Sequence, residues 1–207
     1  FAKYIKMPAQ LLHRLPEGVS YVAGAVMEPA AIVAHEVCER GSTEVGDTVA
    51  IFGCGPIGLL AGIFSRLAGA ARVIVVGTDR DVEVRFPKAR AIPVDTILNI
   101  QREDVVAKID RITGGRGADL VVEASGSPAA IALTAAVVRM KGRIAAIGIP
   151  PANVDPFERQ ASLSDQTVVP SATWPEGAIP FDWRGALFKV CDIRFNFSSS
   201  FTGWEKV

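Results

Sequence analysis

The chain has 207 residues with 22 basic and 22 acidic side chains, and its formal net charge of +0 argues against the basic surface on which nucleic-acid binding depends. The most apolar stretch, residues 49–64, is broken by Gly and Pro and is too short to span a bilayer, so we expect no membrane insertion. The three cysteines form no C-x-x-C pair, which indicates a reducing compartment and predicts a cytoplasmic protein.

The first forty residues predict little regular structure before one helix. Phe1–Met7 alternates loosely between apolar and polar residues and is compatible with one strand. Glu28 and Pro29 open the helix, because proline suits the first helical position. Apolar residues follow at helical spacing, and Gly41 ends the helix.

A strand, a glycine-rich turn, a helix and a second strand follow one another between residues 47 and 76. Thr48–Phe52 is a β-branched and aromatic run that predicts a buried strand, and it leads directly into a G-x-G-x-x-G motif at residues 53–58. Leu59–Ala68 then predicts a helix that stops at Gly69, and Arg72–Val76 predicts the second strand. This context is the one in which the motif binds the pyrophosphate of a dinucleotide at a helix N-terminus.

Other interpretations of the glycine motif are weaker. A P-loop is excluded because Leu59 follows Gly58 where a lysine is required. An S-adenosylmethionine site would lack the acidic residue just before the first glycine, and a glycine-rich turn of another α/β domain stays open. Cys54, inside the motif, is interpreted as a small turn residue rather than a nucleophile, because no base is evident beside it.

The rest of the sequence continues the alternation of strands and helices. A short helix is predicted within 82–91, and longer helices over 103–113 and 127–140. Strands are predicted over 96–100, 119–124, 143–147 and 192–197. Residues 150–180, rich in Pro, Ser and Asp, predict a long loop or insertion. Alternating elements require right-handed crossovers, so we expect an α/β fold with a doubly wound parallel sheet of strand order 3-2-1-4-5-6.

The turns that follow the carboxyl ends of these strands share one edge of the sheet, where ligands bind in such folds. They contain Gly53, Gly55, Pro56, Ile57 and Gly58; Gly77, Thr78, Asp79 and Arg80; Ser125 and Gly126; Ile147, Gly148 and Ile149; and Phe197, Ser198 and Ser199. We predict that these residues bind the cofactor.

Several segments together resemble one family. They are residues 15–20, 27–30 with His35, 45–49, 53–60, 114–119 and 123–126. Over most of residues 1–149 the chain resembles the medium-chain dehydrogenase/reductase family, in its zinc-dependent sorbitol, threonine and alcohol dehydrogenase branch. Because members insert a Rossmann domain into a GroES-like catalytic domain, the resemblance implies a catalytic-domain remnant over 1–33 and a Rossmann domain over 34–207.

The resemblance implies an oxidoreductase that transfers a hydride between NAD(P) and a secondary alcohol, a polyol or a 3-hydroxy amino acid. In the intact protein a zinc ion would assist, although the Cys and His-Glu positions that usually hold this zinc are absent from the chain. Glu28 would belong to the shell of this zinc, or else is an ordinary carboxylate at the start of its helix. His35 is a candidate catalytic residue near the nicotinamide or substrate, or else a packed helix-face histidine. The resemblance also implies a homo-oligomer formed through the edge of the sheet, at residues 192–197.

The residue at the end of the second strand decides between NAD and NADP, because an acid there accepts the ribose 2′-OH and repels a 2′-phosphate. Here Gly77 and Thr78 follow the strand, as in phosphate-accommodating relatives. Arg80 would pair with the phosphate and Arg85 would lie over the adenine, which favours NADP. Asp79 could serve the ribose instead, so NAD stays the alternative.

Two other functions stay open. One is a zinc-independent quinone or enone reductase of the same superfamily, which would need no metal ligand at Glu28. The other is a non-catalytic dinucleotide-binding module.

Overall fold

A computed structural model describes residues 3–149 and 181–195, without the side chain of Leu11. Its centre is a parallel sheet of six strands: β1 (Thr48–Phe52), β2 (Arg72–Gly77), β3 (Thr96–Asn99), β4 (Ala118–Glu123), β5 (Val138–Ala146) and β6 (Asp192–Phe195). The strand order is β3-β2-β1-β4-β5-β6, which confirms the predicted doubly wound fold. Within the described residues, no helix is long and apolar enough to cross a bilayer.

The α-helices connect the strands as the alternating pattern predicts. They are α1 (Tyr21–Gly24), α2 (Met27–Ala34), α3 (Pro56–Leu67), α4 (Arg85–Arg90), α5 (Val105–Thr113), α6 (Pro128–Val137) and α7 (Trp183–Lys189). A π-helix (His35–Arg40) continues α2, and two 3-10 turns cover Ala9–Leu11 and Asp79–Asp81.

The sheet has an apolar core on each face, because alternate residues of a strand point to opposite sides. Val49 and Ile51 of β1 belong to a core that α2 and α3 cover. Ala50 and Phe52 belong to the second core, which α5 and α6 cover. All five residues of β1 are buried, as a central parallel strand requires.

The structure corrects three details of the predicted elements. Residues 3–7 form no strand, because no described strand lies beside them to pair with. Residues 138–140, predicted to be helical, begin β5 instead: Val138 pairs with Ala118 across an irregularity in the β4–β5 register. Helix α7 is missing from the prediction; the Asp182 side chain caps it by accepting from the N–H of Gly185 at 2.8 Å. The short helix predicted within residues 82–91 is confirmed as α4.

The helix over residues 27–40 bears on the predicted domain boundary. Its two halves, α2 and the π-helix, are continuous, and both supply residues such as Val33 and Val37 to the core that covers β1. The predicted boundary between residues 33 and 34 falls inside this helical segment. The division into a catalytic-domain remnant and a Rossmann domain stays a prediction, and the predicted loop over 150–180 lies outside the described residues.

Buried ion pairs hold the amino-terminal edge of the sheet. Asp119 accepts a hydrogen bond from the Thr48 N–H at 2.8 Å and from Arg139 Nε at 2.6 Å. Arg143 donates to Asp47 at 2.6 Å, and both of these side chains are buried. These contacts tie together the starts of β1, β4 and β5, so this edge contributes to stability.

We expect Asp119→Ala to lower the free energy of unfolding by about 2–4 kcal/mol, because Thr48 loses its acceptor and Arg139 loses its ionic partner. Urea denaturation measures the change. Asp110→Ala removes an exposed carboxylate from α5 and serves as the control, with an expected change below about 0.5 kcal/mol. Equal effects of the two substitutions would contradict this account.

The contribution of Asp119 also depends on pH. Burial raises the pKa of its carboxyl, but the hydrogen bonds from Thr48 and Arg139 outweigh burial, and the pKa lies below the ordinary value of 3.8. A carboxyl whose pKa is lower in the folded state adds stability that is fully present above its unfolded pKa and is lost as the pH falls through its folded pKa. The difference between wild type and Asp119→Ala should therefore shrink below about pH 4.

Candidate functional site

A cleft of ≈ 530 Å³ opens at the carboxyl edge of the sheet, where β1, β2 and β4 end. The predicted residues that line it are Gly53, Gly55, Gly77, Thr78, Arg80, Arg85 and Ser125. The cleft lies beside β1, between the ends of β2 and β4. The strand order of the sheet reverses at β1, and ligands of doubly wound sheets bind at such a point. The predicted turns after β1, β2 and β4 thus meet at this edge, and the cofactor-binding role of their residues stays a prediction.

The three glycines of the motif differ in what the fold requires of them. Gly53 has φ +117 and donates its N–H to the Val76 carbonyl at 2.8 Å, so the tight turn itself needs glycine. A Cβ at Gly58 would overlap the carbonyl oxygen of Gly53, so close packing of α3 on β1 needs the third glycine. At Gly55 a Cβ would meet nothing within 4 Å, and φ is −77. Nothing in the fold requires glycine at position 55, and a side chain there would enter the cleft.

The N-terminus of α3 lies beside the same turn. Gly55 is the N-cap and supplies no side-chain hydrogen bond, and Pro56 occupies the first turn. The N–H groups of Ile57 and Gly58 therefore have no acceptor within the helix, and the positive end of the helix dipole lies at the cleft. This is the arrangement with which helix N-termini bind phosphate.

A second cavity of ≈ 320 Å³ adjoins the cleft, because Ala124 and Ser125 line both. Its other lining residues are Ile32, Ile57, Ile147, Gly148 and Ile149. The predicted cofactor-binding residues 147–149 therefore lie together next to the glycine turn. Ile32 comes from α2 and was not predicted; its position on the apolar face of the helix opened by Glu28 and Pro29 is the only signal the sequence holds.

Glu123 fixes the turn that separates the two spaces. Its buried carboxylate accepts hydrogen bonds from the Ser125 N–H at 2.9 Å, the Ser125 hydroxyl at 2.6 Å and the Gly126 N–H at 3.1 Å. The predicted residues Ser125 and Gly126 are thus held by a carboxylate at the end of β4.

The end of β2 contains a residue that the sequence analysis missed. Asp81 lines the cleft and is only 4% exposed, and its carboxylate accepts from Thr78 and Arg85. A Cβ at Gly77 would lie 3.0 Å from an oxygen of this carboxylate and 2.5 Å from the Phe86 ring. The T-x-x-D spacing of a capping box was the available signal for this contact.

Asp79 and Arg80 have different surroundings. The Asp79 carboxylate accepts from Asn99 Nδ2 at 2.7 Å and from Arg102 Nε at 2.5 Å, and Asp79 does not line the cleft. These hydrogen bonds, that of Arg102 first, lower the pKa of Asp79. Arg80 lines the cleft, is exposed, and makes no ion pair with any residue of the described part of the chain.

The thiol of Cys54 lines the cleft between the two glycines of the turn. Burial, assisted by the negative charge of Asp81, raises its pKa to about 11. A thiol with this pKa is protonated at neutral pH and is a poor nucleophile. The geometry agrees with the interpretation of Cys54 as a turn residue.

Neither the candidate catalytic residue nor the candidate metal ligand lines either of the two spaces. His35 is partly buried in the π-helix, where its Nδ1 contacts Glu39 Oε2 at 2.5 Å. Glu28 is exposed in the first turn of α2. Within residues 3–149 and 181–195, no group of three or more His, Cys, Asp or Glu residues could hold a metal ion, so the described residues do not fit a zinc site by themselves. Phe197, Ser198 and Ser199 lie outside the described residues.

Comparison with known proteins gives relatives that are named as dehydrogenases. The chain is 35% identical to a sorbitol dehydrogenase of Bacillus subtilis over 158 residues, which is 76% of this chain and 43% of that protein. It is 36% identical to an L-threonine 3-dehydrogenase of the same organism over 157 residues, 75% of this chain and 44% of that protein. The chain thus spans less than half the length of these relatives.

A solved structure and a family model also match the chain, and both are named as dehydrogenases. An alcohol dehydrogenase from Thermotoga maritima superimposes with a TM-score of 0.71 at 25% identity, covering 93% of this chain and 47% of that one. The model of a family described as zinc-binding dehydrogenase matches residues 56–189, which is more than half of the chain. The chain therefore belongs to the zinc-binding dehydrogenase family.

Proposed function

We propose that this chain is the dinucleotide-binding part of an oxidoreductase that transfers a hydride between NAD(P) and a secondary alcohol, a polyol or a 3-hydroxy amino acid. The observation that carries the proposal is the open space at Gly55, at a position where the fold itself does not require glycine. The names of the relatives, a sorbitol dehydrogenase and an L-threonine 3-dehydrogenase, support the substrate class.

In this proposal the chain binds and orients the dinucleotide. The N–H groups of Ile57 and Gly58 bind the pyrophosphate at the N-terminus of α3. The larger cleft takes the adenosine half and the smaller cavity takes the nicotinamide half. When bound, the cofactor supplies the hydride chemistry. The apolar side chains of Ile32, Ile147 and Ile149 would hold the nicotinamide in place and exclude water from it.

For the cofactor we propose NADP. Arg80 supports this choice, because it lines the cleft and its charge is not used by any described residue. Asp79 gives little support to NAD, since its carboxylate already binds Asn99 and Arg102. Arg85, predicted over the adenine, also lines the cleft.

Zinc belongs to the proposal only for the intact protein. Glu28 could supply one ligand, but a catalytic zinc takes three protein ligands, and the described residues offer no such group. No step above therefore depends on the metal. The roles of Glu28 as a zinc-shell residue and of His35 as a catalytic residue stay predictions.

We also propose that the protein forms a homo-oligomer through β6. Among the described residues this strand is the edge of the sheet and pairs with β5 alone. Its last residue, Phe195, is 73% exposed, and Trp183 and Phe188 of the neighbouring helix α7 are 70% and 67% exposed. An exposed edge strand with apolar neighbours is a surface that a second copy could cover.

The zinc-independent reductase is the second candidate, since the described residues lack a complete metal site. Metal analysis of the full-length protein distinguishes the two. The proposed zinc-assisted enzyme should contain about one catalytic zinc per chain, and removal of that zinc by a chelator should abolish alcohol oxidation. A metal-free protein that reduces quinones or enones at full rate would exclude the zinc-assisted enzyme.

We expect Gly55→Val to weaken dinucleotide binding by about 100-fold, because its side chain would occupy the space proposed for the pyrophosphate. Titration calorimetry with NAD⁺ and NADP⁺ measures the loss. The melting temperature should stay near that of the wild type, since the position is open and its φ is ordinary. Gly58→Ala is the contrasting variant and should lower the melting temperature instead. Wild-type affinity in Gly55→Val would refute the phosphate-binding role of this turn.

Calorimetry at matched salt also tests the cofactor proposal. NADP⁺ should bind more tightly than NAD⁺ to the wild-type chain. Arg80→Ala should weaken NADP⁺ by about tenfold or more and NAD⁺ hardly at all, because the guanidinium would contact only the 2′-phosphate. Tighter NAD⁺ binding in the wild type would overturn the NADP proposal.

A further inference from the structure

The carboxylate of Asp81 occupies a set of donors suited to an anion. One of its oxygens accepts from the Thr78 N–H at 2.8 Å and from the Thr78 hydroxyl at 2.9 Å. The other accepts from the Arg85 guanidinium at 2.8 Å. A backbone amide, a hydroxyl and a guanidinium are also the groups with which proteins bind phosphate oxygens. The end of β2 therefore contains an anion site that one of the chain's own carboxylates fills.

The carboxylate also lies where a side chain at the end of β2 would lie. The position that a Cβ on Gly77 would take is 3.0 Å from Oδ2 of Asp81. An acid at the end of this strand is what accepts a ribose 2′-OH in dinucleotide-binding folds. Asp81 follows Gly77 by four residues, and its carboxylate lies where the side chain of an acid at position 77 would lie. The absence of a side chain on Gly77 leaves room for this carboxylate.

Asp81 is charged under ordinary conditions. Burial raises the pKa of its carboxyl, but the hydrogen bonds from Thr78 and Arg85 outweigh burial and bring the pKa below its ordinary value. A buried negative charge that lines the cleft would repel a 2′-phosphate. It also engages Arg85, which leaves Arg80 as the cleft-lining arginine without an ion pair to a described residue.

We propose that Asp81 sets the balance between NAD and NADP, because it holds the donors that a 2′-phosphate would otherwise use. This inference rests on the proposed dinucleotide binding. With Asp81 ionised, the proposed preference for NADP depends on Arg80 alone, and the charge of Asp81 reduces this preference without reversing it. With its charge removed, Thr78 and Arg85 become available to the phosphate.

The test measures the affinities of NAD⁺ and NADP⁺ for the 207-residue chain and its variants by calorimetry. Asp81→Asn should raise the affinity for NADP⁺ relative to NAD⁺ by at least about tenfold. Glu83→Gln is the matched control, because it removes an exposed negative charge two residues away that does not line the cleft, and it should leave the ratio within about twofold.

The outcomes separate this inference from the proposal on which it rests. An unchanged or lower ratio in Asp81→Asn overturns the role of Asp81, as does a rise of the same size in Glu83→Gln. A rise confined to Asp79→Asn would assign the role to Asp79 instead. If the wild type binds neither nucleotide, the proposed dinucleotide binding itself fails.

Loss of the Thr78 contact could unfold the variant, so thermal melting accompanies each titration. Asp81→Ser removes the same charge with a smaller side chain and is measured in parallel. If neither variant folds, Arg80→Ala decides. In that variant NADP⁺ should bind more weakly than NAD⁺, because Asp81 still holds the other donors. Equal or tighter NADP⁺ binding in Arg80→Ala would contradict the inference.

Discussion

The close approach of α3 to the end of β1 is the constraint on which the rest of the site depends. It is possible only because Gly58 has no side chain to overlap the carbonyl oxygen of Gly53. The approach brings the N-terminus of α3 to the centre of the sheet, between β2 and β4. Unpaired N–H groups and a helix dipole are therefore concentrated where the strand order reverses, and the two cavities open on either side of this point.

The two edges of the sheet differ in how completely their charged groups are paired. At the amino-terminal edge, Asp47 and Asp119 are buried and paired with arginines. These ion pairs connect the ends of β1, β4 and β5 to one another. The carboxyl edge differs in two places. A Cβ at Gly55 would meet no atom within 4 Å, and Arg80 makes no ion pair with a described residue. Asp81 combines features of both edges: it is buried and paired with Arg85, and it also lines the cleft.

The features that could be predicted from the sequence are those that local pattern determines. Thr48–Phe52 is predicted to the residue because a central parallel strand is rich in β-branched and apolar residues, and the glycine spacing determines the turn after it. What could not be predicted depends on contacts between distant segments. The start of β5 depends on pairing of Val138 with Ala118, and Ile32 reaches the smaller cavity from another helix. For Asp81 the local T-x-x-D spacing held a signal, but the space that Gly77 leaves for its carboxylate is seen only in the structure.

The central claim is that the glycine turn and the N-terminus of α3 hold the pyrophosphate of a nicotinamide dinucleotide. Backbone amide NMR of the ¹⁵N-labelled chain, titrated with NADP⁺ and NAD⁺, tests it most directly. The account predicts that the largest shifts fall on the N–H groups of Gly55, Ile57 and Gly58, and that only NADP⁺ shifts the side-chain resonance of Arg80 strongly. Saturable binding that leaves these amides unchanged would contradict the account.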